Sequence, residues 1–150
     1  NRPATTAADE LIQAELGAVG VKVNIVSKPG PDFISLAQKG NFDVILDSWY
    51  SPDADVLYNT FDSTQSAGGG LNFTNYKSAT LDSLLEKGRT TFNTKLATSY
   101  YAQAQRFILK NYLADPLYIP ITEFGVRKRV HGFHTDATGL WPLFQDLWIK

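Results

Sequence analysis

A short apolar segment, residues 42–46 (FDVIL), constrains the fold of this chain more than any other feature. Its hydrophobic residues are β-branched in the middle, which is typical of a strand buried on both faces inside a parallel sheet. Pro52 follows shortly afterwards and cannot continue a strand ladder. The segment therefore predicts a strand that ends near Trp49, at the edge of the sheet where α/β proteins usually bind ligands.

Hydroxyl, aromatic and acidic side chains follow this predicted strand, at Ser48, Trp49, Tyr50, Asp53 and Asp55. Judged from the residues alone, a large aromatic such as Trp49 more commonly packs into a core. The two acids could bind a cationic ligand, or they could cap the short helix predicted over 56–61. Ser48 and Tyr50 could form hydrogen bonds with a ligand or within their own loop.

Helical and strand-like segments alternate in the first part of the chain. An apolar stripe predicts a helix that starts near residue 7 and stops at Gly20, and residues 21–26 alternate as a strand does. A short helix is predicted over 32–38, before the strand at 42–46. This order implies parallel strands joined by right-handed crossovers.

The remainder of the chain predicts further elements around a long polar loop at residues 63–78. These elements are two helices (from 78 and over 94–112), two strands (117–122, interrupted by Pro120, and 124–130) and a tail (131–150), part of which is expected to pack back on the domain. We therefore predict a single α/β domain over residues 1–150, with a mixed sheet and flanking helices.

Composition excludes several classes of function. A net charge of −1 gives no support for nucleic-acid binding, and no apolar run is long enough to span a bilayer. The absence of Cys excludes disulfides, thiol catalysis and thiolate metal sites. The chain begins with Asn1 and contains no Met, so we expect a processed chain or a part of a longer protein.

Several short motifs occur along the chain in a characteristic order. They are residues 20–23 (GVKV), 40–43 (GNFD), Trp49, the pair Asp53 and Asp55, Asn72 with Phe73, residues 115–121 (DPLYIPI) and 130–133 (VHGF). Over nearly its whole length the chain thereby resembles the C-terminal lobe of the family 5 extracellular solute-binding proteins, which are the dipeptide, oligopeptide and nickel receptors of ABC importers.

The resemblance implies one lobe of a two-lobed, type II periplasmic-binding-protein fold that closes on its ligand by a hinge motion. The expected partners are a peptide or other small solute, the N-terminal lobe of the same receptor, and an ABC permease in the membrane. It also implies a periplasmic or lipoprotein-anchored location in a bacterium, with no cofactor, no metal and no catalysis.

In the peptide-binding members of this family, a Trp lines the side-chain pockets and an Asp three residues later binds the peptide α-amine. Trp49 matches that Trp, but Pro52 occupies the position three residues on. Asp53 follows one residue late, and Asp55 matches a second acidic position. The predicted ligand-binding residues are Ser48, Trp49, Tyr50, Asp53, Asp55 and Asn72.

Other functions use the same residues. The departure at Pro52 leaves open a receptor for a non-peptide solute such as a nickel chelate, an opine or an oligosaccharide. An Asp-x-Asp pair after a strand could hold a divalent cation in a glycosyltransferase-like domain, although no further acid or His stands at a useful spacing. An interaction domain that binds another protein through its aromatic loop is a third alternative.

Overall fold

The computed structural model describes residues 3–66, 70–119 and 121–150, with side chains from residue 5 onward. Its helices are α1 (Pro3–Ala18), α2 (Gly30–Gln38), α3 (Val56–Phe61), α4 (Ala79–Thr90) and α5 (Thr94–Lys110), and a 3₁₀ helix spans Ser63–Gln65. Four short strands follow near the C-terminus: β1 (Val130–His131), β2 (His134–Thr135), β3 (Pro142–Leu143) and β4 (Trp148–Ile149). None of the helices in these ranges has the length and apolar character needed to cross a bilayer.

The core lies between α4 and α5, and α3 packs against it. Its buried residues are Leu81, Leu85, Tyr101, Ala104 and Ile108. These residues recur three or four positions apart on each helix, so they share one face. Burial of a leucine side chain contributes about 1.5–3 kcal/mol, and both core leucines are fully buried.

Local signals in the sequence set the ends of the helices. The side chains of Ser78 and Asn93 accept hydrogen bonds from backbone N–H groups in the first turns of α4 and α5. Gly20 and Gly40 follow α1 and α2 with φ of +85° and +68°, a conformation that favours glycine. Beyond Gly20, the N–H of Val21 donates to the carbonyl of Leu16 at 2.9 Å, which closes α1 as predicted.

The individual strand predictions at 21–26, 42–46 and 117–122 are wrong, because the described residues of these segments form no ladder. Of 124–130, only Val130 enters a strand. A strand requires a neighbour to pair with, and within the described chain these segments have none. Several of their side chains are exposed, Val44 by 85% and Ile119 by 92%. Pro120 lies outside the described residues.

The C-terminal tail forms two small antiparallel ladders, in which β1 pairs with β4 and β2 pairs with β3. Asp136 organises the turn between β2 and β3, since its carboxylate accepts hydrogen bonds from the Thr138 hydroxyl and the Trp141 N–H. The ring of Phe133 lies 5.3 Å from that of Phe124, so the tail contacts the segment that precedes it.

Candidate functional site

A hydrogen-bonded loop forms the base of the candidate site. Asn72 is 2% exposed, and its amide nitrogen donates to the backbone carbonyls of Asp62 and Tyr76, both at 3.1 Å. Its amide oxygen accepts from the Thr74 hydroxyl at 2.7 Å. These bonds join the two ends of the loop and hold Phe73, the next residue, in a buried position.

Two partly exposed aromatic side chains lie at the site, and Trp49 packs on this base. The ring centroid of Trp49 is 6.2 Å from that of Phe73, and the two planes are tilted by 41°. Trp49 is 41% exposed and Tyr50 is 38% exposed, so neither ring is sealed in the interior. The aromatic pair after residue 48 therefore meets solvent, and a partly buried Trp ring on a fixed support can serve as the wall of a pocket.

An open cavity of about 390 Å³ lies beside these rings. The described residues that line it are Trp49, Tyr50, Ser51, Asp53, Asp55, Val56, Asn59 and Leu71. Four of the predicted ligand-binding residues are thus brought together around one concave surface. Ser48 is exposed next to it, and its backbone N–H donates to the carboxylate of Asp47 at 2.8 Å. Asn72 lies beneath the surface rather than on it.

A second cavity, of about 320 Å³, lies next to the first. It is lined by Asp53, Asp55, Gly88, Arg89, Thr91, Ala97 and Tyr101. The two cavities share Asp53 and Asp55, so the turn that carries these acids separates a cavity lined by Trp49 and Tyr50 from one lined by Arg89.

Asp55 is held from the side of the second cavity. Its Oδ1 accepts a hydrogen bond from the Tyr101 hydroxyl at 3.0 Å and lies 3.4 Å from Nε of Arg89. Burial of the phenol, followed by its hydrogen bond to Asp55, raises the pKa of Tyr101 to about 12. Asp55 occupies the N-cap position of α3, but its carboxylate makes no capping hydrogen bond. The helix-capping alternative therefore does not describe this side chain.

Arg89 is fixed by several contacts at once. Its guanidinium carbon lies 3.8 Å from the centroid of the Tyr58 ring, a cation–π distance, and Nη1 lies 4.0 Å from Glu86. Neither Arg89 nor Tyr101 is among the residues predicted from the sequence. The only signal for Tyr101 was a polar hydroxyl on the apolar stripe of α5, which needs a hydrogen-bond partner when buried.

Asp53 differs from Asp55, because none of the ion pairs among the described residues involves it. Its Oδ1 accepts from the Asp55 N–H at 2.9 Å, and its own N–H donates to the Ser51 hydroxyl at 3.1 Å. The side chain is exposed, and in the described part of the chain no basic group lies within ion-pair distance of it. A carboxylate beside two exposed aromatic rings is well suited to bind an organic cation.

Metal binding has little to support it in this site. Among residues 3–66, 70–119 and 121–150, no group of three or more His, Asp or Glu side chains is placed to hold a metal ion. The Asp55 carboxylate is also engaged by Arg89 and Tyr101. The Asp-x-Asp pair is therefore poorly arranged to coordinate a divalent cation jointly.

The chain is similar to several bacterial binding proteins, although no model of a known protein family matches it. It is 30% identical over 132 residues to the probable di/tripeptide-binding protein 5 of Pseudomonas aeruginosa, covering 87% of this chain and 25% of that protein. It is 28% identical over 134 residues to the dipeptide-binding protein of Escherichia coli, with the same shares covered. The peptide transport periplasmic protein SapA of Salmonella typhimurium is 28% identical over 133 residues, covering 87% of this chain and 23% of that protein.

The fold is also found in a solved structure. HbpA2 from Haemophilus parasuis superposes with a TM-score of 0.68 at 25% identity, covering 94% of this chain and 28% of that chain. The comparisons confirm the predicted resemblance to family 5 extracellular solute-binding proteins and the predicted α/β fold class, that of one lobe of such a protein. The chain spans about a quarter of the length of the curated relatives it matches.

Proposed function

We propose that this chain is a ligand-binding lobe of a bacterial solute-binding protein that delivers peptides to an ABC importer and carries out no catalysis. The observation that carries the proposal is the open cavity beside Trp49, Tyr50 and Asp53. The similarity to di- and oligopeptide-binding proteins supports peptides as the class of ligand. The periplasmic name of one relative supports a periplasmic location, with lipoprotein anchoring at the cell surface as the alternative.

In this proposal the lobe supplies one wall of a closing cleft. The ammonium group of the peptide lies near the Asp53 carboxylate, and the rings of Trp49 and Tyr50 cover the neighbouring part of the ligand. Ser48 stands at the margin of the cavity, where its hydroxyl is available for a hydrogen bond. Asn72 acts from beneath, because it holds the loop on which Trp49 rests.

The remaining contacts come from an N-terminal lobe outside these 150 residues. Closure of the two lobes encloses the ligand, and the closed state is the one recognised by the permease. Because the cavity described here is open on one side, the isolated chain is expected to bind peptides weakly or not at all. Micromolar or tighter binding of a peptide by these 150 residues would contradict the two-lobe mechanism.

Calorimetry on the full-length protein that contains this chain tests the proposal. Trialanine is expected to bind, and Trp49→Ala is expected to weaken its binding by about tenfold or more, because aromatic anchors dominate binding energy. Trp141→Ala is the matched control, since Trp141 is 69% exposed and lies in the C-terminal tail. Equal effects of the two substitutions would contradict the assignment of the cavity.

Mass spectrometry of the ligand that co-purifies with the full-length protein identifies the class of solute. A pool of short peptides supports the proposal. An opine, an oligosaccharide or a nickel chelate would keep the receptor function but replace peptides as its ligand.

A further inference from the structure

The charge of the candidate cavity depends on a residue that does not line it. Among the described residues around the aromatic cavity, those with charged side chains are Asp53 and Asp55. Arg89 belongs to the second cavity, on the other side of the turn, yet its Nε lies 3.4 Å from Oδ1 of Asp55. The negative charge of Asp55 is therefore offset by Arg89, whereas no ion pair among the described residues offsets that of Asp53.

Arg89 is held in the second cavity by contacts that do not involve a ligand. Its guanidinium lies over the Tyr58 ring on α3, and the Tyr101 hydroxyl from α5 binds the same Asp55 oxygen. Side chains of α4 and α5 thus converge on one carboxylate, which stands at the start of α3. Arg89 and Asp55 are about two-thirds buried, so water screens their attraction less than it would at an open surface.

We propose that Arg89 is a specificity-determining residue: it neutralises Asp55, so that the cavity offers one uncompensated carboxylate, Asp53, and selects ligands that present a single positive charge at this end. The inference rests on the proposed function, because it assigns the charge preference of the same cavity. Without Arg89, Asp55 would add a second negative charge within reach of the ligand.

Substitution of Arg89→Gln in the full-length protein tests this role. Binding of trialanine, which carries one ammonium group, is compared by calorimetry with binding of lysylalanylalanine, which carries two at the same end. Arg89→Gln is expected to raise the preference for the dicationic peptide about fivefold over wild type, as expected for one added charge at several ångströms. Arg89→Lys retains the positive charge and is expected to retain the wild-type preference.

Arg106→Gln provides the matched control, because it changes the net charge equally from an exposed position on α5. It is expected to leave the preference within about twofold of wild type. An unchanged preference in Arg89→Gln, an equal loss of both peptides, or the same shift in Arg106→Gln would overturn the inference. Failure of the wild-type protein to bind either peptide would instead refute the proposed function, and the inference with it.

Discussion

Removal of the Asn72 side chain is expected to destabilise the protein, because this buried amide holds the loop beneath the site. Asn72→Ala removes three hydrogen bonds, the two that the amide donates to the carbonyls of Asp62 and Tyr76 and the one that it accepts from the hydroxyl of Thr74. Each lost hydrogen bond costs about 1 kcal/mol, and a small gain in side-chain entropy opposes the loss. We expect the free energy of unfolding to fall by about 2–3 kcal/mol.

Urea unfolding followed by far-UV circular dichroism measures this change. With a typical urea dependence of about 1–3 kcal/mol per molar, the midpoint is expected to fall by about 0.7–3 M. Asn24→Ala, at an exposed position, is the control and is expected to stay within about 0.5 kcal/mol of wild type. Wild-type stability of Asn72→Ala, combined with weaker ligand binding, would refute this reasoning and favour a direct ligand contact at Asn72.

Three further predictions concern the core, the Tyr101 phenol and the C-terminal turn. Leu85→Ala is expected to lower the free energy of unfolding, measured by urea denaturation, by about 3–5 kcal/mol. Leu109 is half-exposed, and Leu109→Ala is expected to lower it by less than about 1 kcal/mol. Similar losses of unfolding free energy in the two variants would contradict the assigned core. Burial and the hydrogen bond to Asp55 raise the pKa of Tyr101 to about 12 in the folded protein, above its ordinary 10, so the stability that this phenol contributes is fully present below pH 10 and falls by about 2 kcal/mol as pH rises toward 12. Difference titration at 295 nm against Tyr101→Phe should show one phenol that ionises near pH 12. Ionisation of that phenol near pH 10 would contradict the prediction. The hydrogen bond from the Thr138 hydroxyl holds the pKa of Asp136 below its usual value, so the carboxylate stabilises the turn at neutral pH and this stabilisation is lost as pH falls through the lowered pKa. An NMR titration should show a higher pKa for Asp136 in Thr138→Ala. An unchanged pKa would contradict the assignment of this hydrogen bond as the cause.

Helices were the part of the fold that the sequence predicted well, because their signals are local. The caps at Ser78 and Asn93 and the glycines after α1 and α2 lie within a few residues of the helix ends they determine. α1 nevertheless starts at Pro3, earlier than predicted. Strands could not be predicted in the same way, since an apolar segment such as 42–46 becomes a strand only when another segment pairs with it.

The candidate site was predictable on one side only. The position of Trp49 and the acids after an apolar segment indicated the aromatic cavity, and the structure places them around it. Arg89 and Tyr101 were not predictable, because they meet Asp55 only through the packing of α4 and α5. The Tyr101 contact joins residues 46 positions apart, and no local pattern encodes such a distance.

Fluorescence of Trp49 during ligand binding shows whether this residue forms the wall of a closing cleft. In full-length protein whose other tryptophans are replaced by Phe, the emission of Trp49 reports whether its 41%-exposed ring is covered when peptide binds. If Trp49 forms the wall of a closing cleft, saturation with trialanine shifts the emission to shorter wavelength, and the shift follows the calorimetric binding curve. Calorimetric saturation with an unchanged Trp49 emission spectrum would place the ligand elsewhere and contradict the assignment of Trp49 to the binding cleft.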